Sequence, residues 1–373
     1  MKKLFLLPLL LLLFSCNEDD PIDSGVDPVK IDWNAAAGGA SDALISNFWN
    51  ESGYFNYGSN ESDKGFQYWP NAHAMDVVID AYLRSGDEKY KSYFDKWYTG
   101  VKHYNGGSFF NVFYDDMEWS ALTILRLYEV TKDEKYLTTA KELWTDISKG
   151  WNDKYAGGGI AWKKDMPYSK NACSNGPASI LAARLYKLTK EESYLEWAIK
   201  IYEWQKNTLL EPASGAVYDN INGQSDQVNT VSLTYNQGTF MGTAIELYQI
   251  TKDGAYLNVA RKVAAHTITK LIDNNKGILR NEGTGDNALF KGIFMRYFLP
   301  LILNEELSGA YHTQFVTAFK KNTETLWTEG CHPQVLLFGP SWSEIPAGVT
   351  QLTAQASACM TIEMRAAYEE SLK

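Results

Sequence analysis

Segments that are apolar nearly all round (121–127, 178–185 and 240–247) alternate along the chain with segments apolar on one side only. The one-sided segments place apolar residues at offsets 0, 1, 4, 7 and 8. They are Tyr136, Leu137, Ala140, Leu143 and Trp144; Tyr194, Leu195, Ala198, Ile201 and Tyr202; and Tyr256, Leu257, Ala260, Val263 and Ala264. Such a stripe gives a helix one buried and one solvated face, whereas an apolar helix without a polar face must be covered on both sides. Between the two kinds lies a recurring phrase: AYLRSGDEKY from Ala81, LYEVTKDEKYL from Leu127, LYKLTKEESYL from Leu185 and LYQITKDGAYL from Leu247. Its tyrosines, Tyr82, Tyr128, Tyr186 and Tyr248, stand 46, 58 and 62 residues apart. Each phrase closes a buried helix, turns through a few polar residues and opens a second helix behind a capping side chain.

The series extends to six pairs. Inner helices are expected to begin near Trp69, Asp116, Asn175, Gln237, Phe290 and Thr353, and outer ones near Ser41, Glu88, Glu134, Glu192, Ala255 and Ala310. Twelve alternating helices predict an all-α fold, a closed (α/α)6 toroid of six inner and six outer helices. An open solenoid is the alternative, but its repeats are shorter, more uniform and capped by polar end units. The long connections run from outer to inner helices, through 104–110, 155–162, 215–218 and 277–280. They are rich in glycine and aromatic residues, and they should gather at the rim that holds the inner-helix N-termini. A site belongs on that rim.

Composition narrows the chemistry. The net charge of −10 and the absence of a basic stripe exclude nucleic acid as a partner. Twelve Trp, 23 Tyr and 16 Phe supply rings for packing and for stacking on sugars. Lys2 and Lys3 precede an apolar run to Phe14 that is too short to span a bilayer, the shape of an export signal. Leu13-Phe14-Ser15-Cys16 resembles a bacterial lipobox, which makes Cys16 the expected lipid attachment site. The acidic Asn17-Glu18-Asp19-Asp20 that follows resembles a surface-export signal of Bacteroidota lipoproteins. Residues 1–15 are thus expected to be a signal peptide, 16–32 an acylated tether and 33–373 the folded domain. The expected location is the outer membrane, facing outward, with the lipid as the chain's only membrane contact. Cys173, Cys331 and Cys359 are odd in number and are expected to be free thiols.

Asp115-Asp116 stands at the entry to the second inner helix. One reading is N-capping, which needs a single acid. The other is a paired acid and base: adjacent carboxyls beside an apolar helix raise each other's cost of ionisation, so one can keep its proton. Spacing alone leaves both open. Asn171 and Asn175 open the third inner helix, and Tyr235, Asn236 and Gln237 the fourth. Their density of amides suits sugar hydroxyls. Trp69, Trp119 and Trp162 are candidate platforms. Lys291 and Arg296 lie near or within the fifth inner helix, either as ligand contacts or as partners of buried acids. The five histidines lack metal-ligand spacing, although His73 and His332, near inner-helix starts, keep a histidine-based epimerase open. Gly157-Gly158-Gly159 lacks the lysine and hydroxyl residue of a phosphate loop. Gly339-Pro340-Ser341-Trp342-Ser343 lacks the closing glycine of a nucleophile elbow.

YDDMEW, GGGIAW, KNACSNGPA, TYNQG and FKGIFMRY together resemble glycoside hydrolase family 76, α-1,6-mannanases of (α/α)6 fold, from about Trp33 to the C-terminus. The resemblance implies endo-hydrolysis of neutral α-mannan with retention of configuration, without metal or other cofactor. Asp115 would be the nucleophile and Asp116 the general acid/base. A retaining pair sits about 5–5.5 Å apart across the scissile bond, within reach of neighbours at a helix entrance. A mannan transglycosylase and a surface glycan-binding lipoprotein without turnover are the rival expectations. The protein is expected to be monomeric.

Overall fold

The computed structural model describes residues 30–307 and 309–373. The expected leader, Cys16 and most of the tether lie outside them. Residues Trp33–Lys373 form a compact unit. Its helices are α1 (Trp33–Phe48), α2 (Tyr68–Ser85), α3 (Glu88–Lys91), α4 (Phe94–Tyr104), α5 (Tyr114–Thr131), α6 (Glu134–Ile147), α7 (Ala172–Thr189), α8 (Glu192–Thr208), α9 (Thr234–Thr251), α10 (Gly254–Lys270), α11 (Phe290–Ile302), α12 (Ala310–Thr328) and α13 (Leu352–Ser371). The inner ring is α2, α5, α7, α9, α11 and α13. Each packs on the next, and α13 closes on α2. The outer layer is α1, the broken pair α3–α4, α6, α8, α10 and α12. The toroid expected from the repeats is thus the architecture found, with the second outer helix in two pieces and α1 starting eight residues earlier than read.

The recurring phrase has a physical basis. Lys132, Lys190 and Lys252 end α5, α7 and α9 in the left-handed region, at φ of 60°, 62° and 60°, and Gly86 ends α2 the same way. Each donates its N–H to the carbonyl of the phrase tyrosine. The hydroxyls of Thr131, Thr189 and Thr251 return a hydrogen bond to the carbonyl four residues back and accept one from the residue two ahead. Asp87, Asp133 and Asp253 then cap the following helix. Stop, turn and start are therefore written into about six residues.

Inner helices approach closely where one of them has no side chain. A Cβ on Gly176 would meet Thr239, one on Gly238 would fall 2.7 Å from Phe294 Cα, and one on Gly292 2.5 Å from Ser357 Cα. These contacts join α7 to α9, α9 to α11 and α11 to α13.

The rim connections hold short antiparallel strands that the sequence reading left irregular. Trp49–Asn50 pairs with Tyr54–Phe55, Ile272–Asp273 with Ile278–Leu279, and Cys331–His332 with Leu337–Phe338. A four-stranded sheet joins Ala161–Lys163, Met166–Asn171, Asn220–Asn222 and Gln227–Asn229 in that order.

One device pins this rim to the barrel. The fourth residue of α2, α7, α9 and α13 is a buried amide: Asn71, Asn175, Gln237 and Gln355. Each amide both accepts from and donates to rim backbone. Asn71 clasps Phe55, Asn175 clasps Ile160, Gln237 clasps Val217, and Gln355 holds Phe338 N–H and the Leu336 carbonyl. In α5 the fourth residue is Met117, so the helix that carries the aspartates lacks this clasp. Gln237→Ala leaves the buried Val217 N–H unpaired and its carbonyl with the Ser232 hydroxyl alone. A loss of ~2–4 kcal/mol in denaturant unfolding is the expected result.

Candidate active site

A cavity of about 370 Å³ opens at the rim over the inner-helix N-termini. Gln67, Trp69, Phe113, Asp115, Asp116, Trp119, Trp162, Asn171, Cys173, Asp219, Tyr235, Asp286 and Phe290 line it. Five inner helices contribute, mostly from their first turns, so the positive ends of five helix dipoles converge on the same space.

Neither aspartate occupies the N-cap position, although Asp115 does accept one first-turn backbone N–H. Phe113 is the N-cap of α5 and makes no side-chain cap, and both aspartates lie inside the first turn. Asp115 Oδ2 accepts from Trp162 Nε1 at 3.2 Å and from Cys173 Sγ at 3.3 Å. Its Oδ1 accepts from the backbone N–H of Asp116 at 3.1 Å. Burial pushes the Asp115 carboxyl above its ordinary range, and these donors act against that push. Among the described residues Asp116 has no such set of donors. Burial, then the charges of Asp115 and Asp286, raise it well above the ordinary carboxyl value. One carboxyl is thus furnished to carry charge and its neighbour to keep a proton.

A third carboxyl, Glu118, lies fully buried one turn along α5. Neither of its oxygens has a hydrogen-bond partner among the described residues, and burial raises it well above its ordinary value. The aromatic walls are braced as well. Trp69 Nε1 donates to Asp286 at 3.0 Å, the Tyr235 ring stacks on Phe290 at 3.9 Å, and His73 packs edge-on to Trp69 and against Trp119.

Trp69, Trp119, Trp162, Asn171 and Tyr235 line the cavity together with the aspartates. Five other residues read as substrate contacts do not, and each has an internal task instead. Asn175 and Gln237 are the rim clasps described above. Asn236 is buried and donates to Asp219 Oδ1 at 3.0 Å, so it holds a wall residue from behind. Lys291 donates to the Pro340 carbonyl and lies over the Trp342 ring; burial lowers it to about 7. Arg296 pairs with Asp80 at 2.7 Å in a second cavity, and Trp119 lines both cavities. It is a partner of a buried acid, but of Asp80 rather than of the aspartate pair.

His73 also belongs to that second cavity, where burial lowers it to about 3, and His332 lines neither cavity. Both stand outside the cavity that holds the aspartates, and no histidine among the described residues lines it. Asp219, Asp286, Cys173, Gln67, Phe113 and Phe290 were not singled out as site residues from sequence. Among the described residues no cluster of His, Cys, Asp and Glu could hold a metal ion.

Residues 32–372 match the family model described as glycosyl hydrolase family 76. The α-1,6-mannanase of Salegentibacter sp. HEL1_6 has a solved structure that superposes with a TM-score of 0.87 at 42% identity, covering 90% of this chain and 99% of that one. A variant of that enzyme, inactive with two consecutive aspartates changed to alanine, was solved with α-1,6-mannotetrose. It matches with a TM-score of 0.87 at 41% identity over the same shares. Mannan endo-1,6-alpha-mannosidase DCW1 of Eremothecium gossypii is 30% identical over 129 residues, 32% of this chain and 29% of the relative. The chain spans about a third of the length of the curated relatives it matches. On the span of the family match and the end-to-end agreement of fold, this chain belongs to glycosyl hydrolase family 76.

Proposed function

We propose that the protein is an endo-acting hydrolase of α-1,6-linked mannan that works with retention through Asp115 and Asp116. The observation that carries this reading is the unequal treatment of two adjacent carboxyls in one cavity: Asp115 is held by three donors, whereas Asp116 is kept high by burial and by its acidic neighbours. Asp115-Asp116 is also the one pair of consecutive aspartates among the described residues, and the Salegentibacter relative is inactive when two consecutive aspartates are replaced. Among the described residues four aspartates and no lysine, arginine or histidine line the cavity, which suits a neutral polymer. A binding protein without turnover has no use for a carboxyl kept protonated beside a charged one.

In the proposed reaction, a carboxylate oxygen of Asp115 attacks the anomeric carbon while the glycosidic C–O bond breaks and the Asp116 proton passes to the departing oxygen. Water then adds to the anomeric carbon and gives a proton to Asp116 as the ester bond to Asp115 opens. Two inversions leave the configuration unchanged. Trp162 and Cys173 hold the nucleophile throughout, and Trp69, Trp119 and Tyr235 offer faces and edges to the sugar rings.

Unbranched α-1,6-mannan incubated with the enzyme should yield a ladder of short oligosaccharides, and proton NMR should find the first-formed reducing ends as the α anomer. Asp115→Ala and Asp116→Ala should each lower kcat by roughly 10³-fold or more. Binding without cleavage, or two variants with full turnover, rejects the reading.

Asp116 also carries a stability cost with a definite sign. Because the folded-state value of Asp116 lies above the unfolded one, the unfolded chain ionises first as pH rises, and folding loses stability until the folded-state value is passed. Asp116→Asn has no such titration. Its melting temperature should exceed that of the wild type by about 1–3 °C near neutral pH, with the gap closing toward about pH 4.

We further propose that the chain is exported and anchored through lipid on Cys16, on the strength of Lys2, Lys3, the apolar run to Phe14 and the lipobox-like 13–16. Cys16→Ala should move the protein from the membrane to the soluble fraction of the expressing bacterium. An unchanged distribution rejects the anchor.

A further inference from the structure

Among the described residues, two side chains from outside its own helix donate to Asp115, and one of them is a thiol. Cys173 is the second residue of α7 and is 6% exposed. It stands on the cavity wall with Sγ 3.3 Å from Asp115 Oδ2. The Tyr235 hydroxyl lies against the same sulfur. Local backbone needs do not account for it, since Asn171 occupies the N-cap of α7 and the thiol contacts cavity residues from two other inner helices. The remaining described thiols behave differently: Cys359 donates to the Ala40 carbonyl and Cys331 to the His332 carbonyl, both away from the cavity.

We propose that Cys173 is a positioning residue for the reaction, donating its S–H to Asp115 Oδ2 so that this carboxylate stays charged and fixed in orientation. The inference rests on the reading of Asp115 as the nucleophile. Trp162 donates to the same oxygen from strand Ala161–Lys163, so two donors on separate elements leave the carboxylate plane little freedom. The charge problem they meet is considerable. The titratable groups facing this space are Asp116 and Glu118 from α5, Tyr235 from α9, Asp219 from the connection before α9 and Asp286 from the turn before α11. Every one of them, when charged, opposes a charge on Asp115, and the donors offset that opposition. The thiol remains a donor because burial and the neighbouring Asp115 charge both push it far above its ordinary value.

The test compares wild type, Cys173→Ala and Cys173→Ser across pH on α-1,6-mannan, with melting temperature as the control for folding. Without the donor, Asp115 ionises less readily. The acid limb of kcat/KM in Cys173→Ala should therefore move up by about half to one pH unit, while kcat falls roughly tenfold and KM stays within about twofold. Cys173→Ser, with a hydroxyl donor, should return the limb toward wild type. Three coincident limbs, or an equal shift in both variants, overturn the proposal.

A second readout needs no turnover. Iodoacetamide labelling of Cys173, followed by mass spectrometry, should be several-fold faster in Asp115→Asn than in wild type, because the thiolate no longer forms beside a negative charge. Labelling of Cys331 should not change. Equal labelling of Cys173 in the two proteins overturns the contact. A wild type that fails to cleave mannan but shows the labelling difference sustains the contact and rejects the mannanase reading alone.

Discussion

Two carboxyl groups on consecutive residues, half-buried in the wall of one cavity, cannot both carry charge at moderate cost. The rest of the site is arranged around which of them does. Asp115 receives an indole N–H, a thiol and a backbone N–H, whereas Asp116 receives burial and negative neighbours. Glu118, a further buried acid one turn below, adds to the penalty for a second charge. The proposed division of labour between nucleophile and proton donor rests on this asymmetry. Neither side chain has a chemistry of its own to distinguish it from its neighbour.

The toroid makes such an arrangement affordable. A ring of inner helices, each entered from the same rim, brings several helix N-termini to one place and turns their partial positive charge toward the acids. Close glycine contacts hold the ring tight, and the clasps of Asn71, Asn175, Gln237 and Gln355 fasten the rim strands to it. The strand that carries Trp162 follows directly from the residue that Asn175 holds, Ile160. The position of the indole against Asp115 therefore depends on an amide that never meets the cavity. Lys170 contributes to the same end: it is buried, and it donates to the Gly159 carbonyl at 2.5 Å.

Most of this fold was legible in the sequence because its punctuation is local. The caps at Lys132, Lys190 and Lys252, the threonine hydroxyls and the capping aspartates all act within a few residues of one another, so they leave a readable phrase. The rim strands are two to six residues long, too short to establish an alternation, and they escaped. The same contrast holds for the site. The aspartate pair and Trp69 stand at helix entrances and could be read there, but Asp286 reaches the cavity across 217 residues from Trp69, and nothing near it in the chain announces a wall. Of the amides read from sequence, Asn171 lines the cavity whereas Asn175 and Gln237 are buried clasps, and residue type alone does not separate the two. The clue available was position: Asn71, Asn175, Gln237 and Gln355 recur near the starts of inner helices, with a register that belongs to the repeat rather than to a ligand.

The assignment of charge to Asp115 and proton to Asp116 meets its most direct test in a trapped intermediate. A fluorinated α-mannosyl donor, whose fluorine slows release from the enzyme, can be incubated with the wild type, and the peptide spanning 114–119 sequenced by tandem mass spectrometry. A single mannosyl adduct on the Asp115 side chain is the expected result. An adduct on Asp116, or a donor turned over with inversion and no adduct on either residue, contradicts it.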